Sequence, residues 1–185
     1  IGAIGVGSAG AYGSTAINSG DVSVTSTRYE VLTNYYGEDY YAGGWAYGVF
    51  ASTRFLGVAT VTNSGDIEVN GITRATGLSA NSRFGSTAVY NSGELTITGE
   101  LESAYGINTA GSGFEEFNYG ETGFTNVINI GDITATSNAF AVGIQAQQTY
   151  GNISIYNSAD VSAIVDNGEY GSAFGLVGLN VYGNV

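Results

Sequence analysis

An all-β fold, wound as a parallel β-helix (β-solenoid) of coils about 28 residues long, is what this sequence predicts, and three observations carry the expectation. The first is a strand–corner–strand unit that recurs five times: Ala16-Ile17-Asn18-Ser19-Gly20-Asp21-Val22, Val61-Thr62-Asn63-Ser64-Gly65-Asp66-Ile67, Val89-Tyr90-Asn91-Ser92-Gly93-Glu94-Leu95, Val127-Ile128-Asn129-Ile130-Gly131-Asp132-Ile133 and Ile155-Tyr156-Asn157-Ser158-Ala159-Asp160-Val161. The second is a marker, Ala-x-Gly followed by a branched apolar residue, that alternates with the corner and ends in Gly5, Gly48, Gly77, Gly106, Gly143 and Gly175. The third is composition: β-branched and aromatic residues dominate the periodic segments, Met and Lys are absent, and no long stretch is apolar at helical spacing.

Each element follows from these marks. After the corner, every second residue is apolar: Val22 and Val24, Ile67 and Val69, Leu95 and Ile97, Ile133 and Ala135, Val161 and Ala163. A strand of period two sends such residues to one face, so they are assigned to the core. Before the corner, Ala16, Val61, Val89, Val127 and Ile155 are expected to face inward, and by the same parity so is the corner Asn. A repeat this short cannot close a core alone, so successive copies must stack. Three insertions break the spacing, near 25–45, 111–124 and 166–172, and all are aromatic and acidic. Otherwise residues 1–185 read as a single segment. The chain starts without Met, and Tyr182-Gly183-Asn184-Val185 projects a further corner, so the segment is expected to be a fragment of a longer array.

Charge narrows the function. The net charge is −12 and the only basic residues are Arg28, Arg54, Arg74 and Arg83, which argues against nucleic acid as a partner. No apolar run reaches the length of a membrane span, so membrane insertion is not expected. Cys, His and Lys are all absent, which removes thiolate, Ser–His and Schiff-base chemistry.

With these motifs, the chain resembles the Asn-Ser-Gly-Asp repeat regions of large secreted bacterial β-solenoids: autotransporter passengers and filamentous-haemagglutinin-like adhesins. The resemblance implies a parallel β-helix, export, residence outside the cell or on its surface, and contact with surfaces or other cells. It supplies no catalytic motif, and the expectation is a non-enzymatic structural or adhesive module. Its partners would be neighbouring copies in a fibre, further repeats of the same chain, or a cell-surface glycan or protein. A carbohydrate-binding or polysaccharide-degrading domain is the alternative.

Three sets of residues are candidates. Asn18, Asn63, Asn91, Asn129 and Asn157 read as a structural ladder, because stacked amides can bond along the axis and satisfy backbone groups at a bend. Asp21, Asp66, Glu94, Asp132 and Asp160 form an acidic column, read either as a solvated face or as a ribbon of calcium sites, calcium being the one cofactor left open. Tyr35, Tyr36, Tyr40, Tyr41 and Trp45 in the first insertion, with Phe114, Phe117, Tyr119 and Phe124 in the second, are candidate partner contacts, since Tyr and Trp offer rigid area with a polar tip.

Overall fold

The computed structural model describes residues 2–111, 123–166 and 171–182. The described chain runs in successive circuits. The first holds β1 (Gly2–Gly10), β2 (Ser14–Asn18) and β3 (Val22–Ser26), and is followed by a hairpin of β4 (Tyr29–Thr33) and β5 (Asp39–Gly43). The second holds β6 (Trp45–Thr53), β7 (Val58–Asn63) and β8 (Ile67–Gly71). The third holds β9 (Arg74–Ser82), β10 (Ser86–Asn91) and β11 (Leu95–Gly99). The fourth holds β12 (Ser103–Gly111), β13 (Gly123–Asn129) and β14 (Ile133–Ser137). The last described strands are β15 (Phe140–Asn157), β16 (Val161–Val165) and β17 (Ser172–Tyr182).

The structure corrects the expected β-solenoid of regular 28-residue coils. Separate faces were expected, divided by corners. Instead, β15 runs 18 residues without interruption and pairs with β12 along its first half and with β13 along its second. Two would-be faces therefore fuse into one ten-stranded sheet, ordered β1-β6-β9-β12-β15-β13-β10-β7-β2, with β17 also paired to β15. That sheet curls until its two ends, β1 and β2, touch. A five-stranded sheet, β16-β14-β11-β8-β3, completes a nearly closed, barrel-like enclosure, and the β4–β5 hairpin forms its own antiparallel sheet outside it. The spacing is irregular as well: successive corner Asn residues lie 45, 28, 38 and 28 positions apart. Motif spacing locates the bends, but whether hydrogen bonding continues through a bend depends on local backbone geometry that the spacing does not encode.

All pairings in the two large sheets are parallel, and the registers set like residues side by side. Inward columns are apolar: Val49, Leu78, Ile107 and Ile144 on the ten-stranded sheet, and Ile67, Leu95 and Ile133 facing them from the five-stranded one. Fully burying each Leu or Ile contributes about 1.5–3 kcal/mol. The core parity expected from the sequence coincides with the buried positions of β8, β11 and β14.

The Ala-x-Gly marker has a steric cause. At Gly106, a Cβ would lie 2.5 Å from the Gly143 carbonyl oxygen and overlap the Ile133 methyl Cγ2. The same clash with the next carbonyl in the column occurs at Gly5, Gly48, Gly77 and Gly143. Parallel strands approach too closely here for any side chain, so glycine is demanded by space.

Candidate functional site

Three surfaces bear on function: the corner columns, the hairpin with the groove at its base, and the two open ends of the stack.

At the corners, the five Asn side chains form one directed chain of hydrogen bonds. Each Nδ2 donates to the carbonyl two residues on (Gly65 from Asn63, Gly93 from Asn91), and those of Asn18, Asn63, Asn91 and Asn129 also donate to the Oδ1 of the next circuit's Asn, at 2.7–2.8 Å. Asn63, Asn91 and Asn129 are fully buried. Both protons of the first four amides are thus used, and the bend's buried carbonyl is satisfied. The acidic column beside it is exposed but also engaged: Asp21 Oδ1 accepts from Asp66 N, Asp66 Oδ1 from Glu94 N at 2.9 Å, and Asp132 Oδ1 from Asp160 N at 3.1 Å. No group of three or more metal-ligating side chains occurs among the described residues.

The first insertion folds as the β4–β5 hairpin. Asn34 builds its tip: its Oδ1 accepts from Tyr36 N and Glu38 N, its Nδ2 donates to Glu38 Oε2 at 3.0 Å, and Gly37 sits at φ +80°. This closed turn holds Tyr35 and Tyr36 almost wholly in solvent, 97 % and 84 % exposed, with rings packed edge to face. Tyr40 is exposed on β5, which also carries Tyr41. Trp45 does not belong to the hairpin. It starts β6, and its ring packs against Tyr47 at 5.6 Å. Phe124 likewise lies in a strand, β13, where it is exposed and its N–H donates to Ser86 Oγ. Phe114, Phe117 and Tyr119 lie outside the described residues.

At the hairpin base, an open groove of about 460 Å³ is lined by Trp45, Tyr47, Phe50, Thr73, Arg74 and Glu102 among others. Thr73 pins its wall, with Oγ1 donating to Gly43 O at 2.6 Å and N donating to Gly44 O. The groove opens onto the outward face of β6, β9, β12, β15 and β17. Along that face runs a row of rings: Phe50, Tyr47 and Trp45 in mutual contact, the Arg74 guanidinium 4.7 Å over Tyr105, then Phe140 and Phe174. Only Trp45 of this row was singled out from sequence. A signal for the rest was present: the x of Ala-x-Gly faces outward, and it reads Ile4, Tyr47, Thr76, Tyr105, Val142 and Phe174 in register.

The ends differ from the middle. Leu176 continues the Val49–Leu78–Ile107–Ile144 column yet is 51 % exposed, and Phe174, Leu179 and Val181 of β17 are exposed too. At the other end, Val6 of β1 holds the same inward column and is only partly buried.

Comparison with protein-family models, with curated proteins and with solved structures finds no match to this chain.

Proposed function

We propose that this chain is a structural and adhesive module of a bacterial extracellular or cell-surface assembly, without enzymatic activity, in which like circuits stack end on end. The reading rests on one observation: the two ends expose the same columns with opposite hydrogen-bonding sense. Inside the stack, each corner Asn carbonyl accepts from the next circuit, as Ser92 N does to Asn63 O, and each strand start donates onward, as Leu95 N does to Asp132 O. Continued by one circuit, the pattern would have Asn157 Nδ2 donate to a second copy's Asn18 Oδ1, and Asp160 Oδ1 accept from its Asp21 N. It would also have Ser19 N of that copy donate to Asn157 O. Such a contact is head-to-tail and propagates, as a fibre requires. The exposed Leu176, which holds an inward position, would be buried by it. In this reading the acidic column is a hydrogen-bonding edge and not a calcium ribbon, and the Tyr35–Tyr36 tip makes lateral contacts.

The probe is Gly175→Ala. No atom of the described residues lies within 4 Å of where that Cβ would sit, so the isolated fold accommodates it. In a stacked end, the added methyl would meet the carbonyl of the covering circuit, as it would at Gly143. Sedimentation of the 185-residue chain over a range of concentrations should show association in the native protein. Gly175→Ala should stay monomeric with an unchanged melting temperature. A native chain that is monomeric throughout would overturn stacking between copies and make further repeats of the same chain the cover. Equal association by the variant would overturn the proposed geometry.

A further inference from the structure

We propose that the groove at the base of the hairpin, together with the ring row leading from it, binds an uncharged oligosaccharide. This goes beyond the stacking of circuits, because it uses an outward sheet face and neither end.

The first argument is the shape and chemistry of the face. Trp45 and Tyr47 present partly exposed rings at the groove, and the row continues across strands through Tyr105, Phe140 and Phe174. Neighbouring strands are about 4.8 Å apart, so a ligand lying across them meets rings repeatedly. Flat rings with polar neighbours suit the C–H faces of sugar rings, which carry hydroxyls around an apolar surface. A second outward row lies three residues further along the strands, about 10 Å away. It holds Asn108 and Gln145 in register, with Ser79 beside them buried and accepting from Asn81 Nδ2, and beyond it stand Asn81 and Gln147. The partly exposed amides donate and accept, as sugar hydroxyls do.

The second argument is independent of the rings. Two buried polar atoms on this face have no hydrogen-bond partner among the described residues: Arg74 Nε, at the groove, and Thr76 Oγ1, which lies in register between Tyr47 and Tyr105. Buried polar groups are ordinarily satisfied, so this pair singles out the stretch of the face where a shift of the covering side chains would gain two bonds. Arg74 supplies donors and Glu102, which also lines the groove, supplies an acceptor. That pairing matches a neutral diol. An anionic sugar would face Glu102 and a chain of net charge −12.

The wall is preorganised. Gly44, at φ +75°, packs so closely that a Cβ there would sit 3.2–3.3 Å from Tyr29, Ile72 and Thr73 carbons, and the Thr73–Gly43 bond ties hairpin to sheet. The site therefore needs little ordering on binding.

Trp45 is the only Trp in the chain, so its emission reports on this groove alone. The protein would be titrated with neutral hexose and N-acetylhexosamine oligosaccharides, and with an oligo-uronate for comparison. At least one neutral oligosaccharide should shift Trp45 emission saturably. Tyr47→Ala and Arg74→Lys, the latter keeping charge but losing the planar guanidinium over Tyr105, should each weaken binding by about tenfold or more. Tyr156→Ala, at an exposed site on β15 away from the row, should leave it unchanged. No saturable change with any neutral oligosaccharide, binding of the oligo-uronate alone, or binding indifferent to both groove variants would each overturn the proposal. Failure here leaves end stacking untouched, since that is read by sedimentation.

Discussion

Gly106 and Gly175 occupy the same column of the same sheet, in the same Ala-x-Gly motif, and their surroundings could hardly differ more. A Cβ at Gly106 would collide with a neighbouring carbonyl and a core methyl, whereas at Gly175 it would meet no atom of the described residues within 4 Å. Leucine and isoleucine tell the same story: Ile107 and Ile144 are fully buried, and Leu176 in their column is half in solvent. The lesson is that a residue's role here is assigned by the circuit stacked on it. The same motif yields an obligatory glycine in the middle and a permissive one at the end.

Substitutions can sharpen or break that contrast. The largest effect is expected from Gly106→Ala, which should cost about 3 kcal/mol or more, because the obstructing atom is backbone and cannot swing aside. Gly175→Ala in the dissociated chain should fall within about 0.5 kcal/mol of the native protein. Equal losses in denaturant melts of the two variants would mean that Gly175 is already covered. Next comes Asn91→Leu, which removes two donated bonds and one accepted bond in a fully buried setting. It should cost about 2–3 kcal/mol, while Asn157→Leu at the last corner should cost about 1 kcal/mol. Equal melting of both variants would show that the ladder's middle and end carry the same load, contrary to this reading.

The smallest effect concerns the acidic column. Asp66→Asn keeps an Oδ1 to accept from Glu94 N and removes one charge from a like-charged row. Its expected effect on stability is within about 0.5 kcal/mol, in the stabilising direction at low salt. A fall of several degrees in melting temperature on chelator treatment of the native protein, absent in Asp66→Asn, would reinstate calcium for this column.

Legibility from the sequence was uneven for physical reasons. The inward parity of Ile67, Leu95 and Ile133 was readable because pleating alternates side chains whatever the partner strand. The corner at Asn91-Ser92-Gly93 was readable because Asn and Gly have local bend chemistry. The aromatic row was not foreseen, since Tyr105, Phe140 and Phe174 stand on three different strands and become neighbours only through register. Arg74 is, from sequence, only one of four basic residues. Its stacking on Tyr105 joins β9 to β12, across 29 residues of register offset.

The sequence by itself determined that this is an all-β chain, which residues face its core, and where it bends, because those properties follow from a two-residue pleat and from residue-level backbone preferences. Only the tertiary structure decided that β15 passes through a bend unbroken, that two faces fuse and curl until β1 meets β2, and that the corner amides point one way along the stack. Those outcomes depend on hydrogen bonds between residues 28 to 45 positions apart, whose register no local pattern specifies.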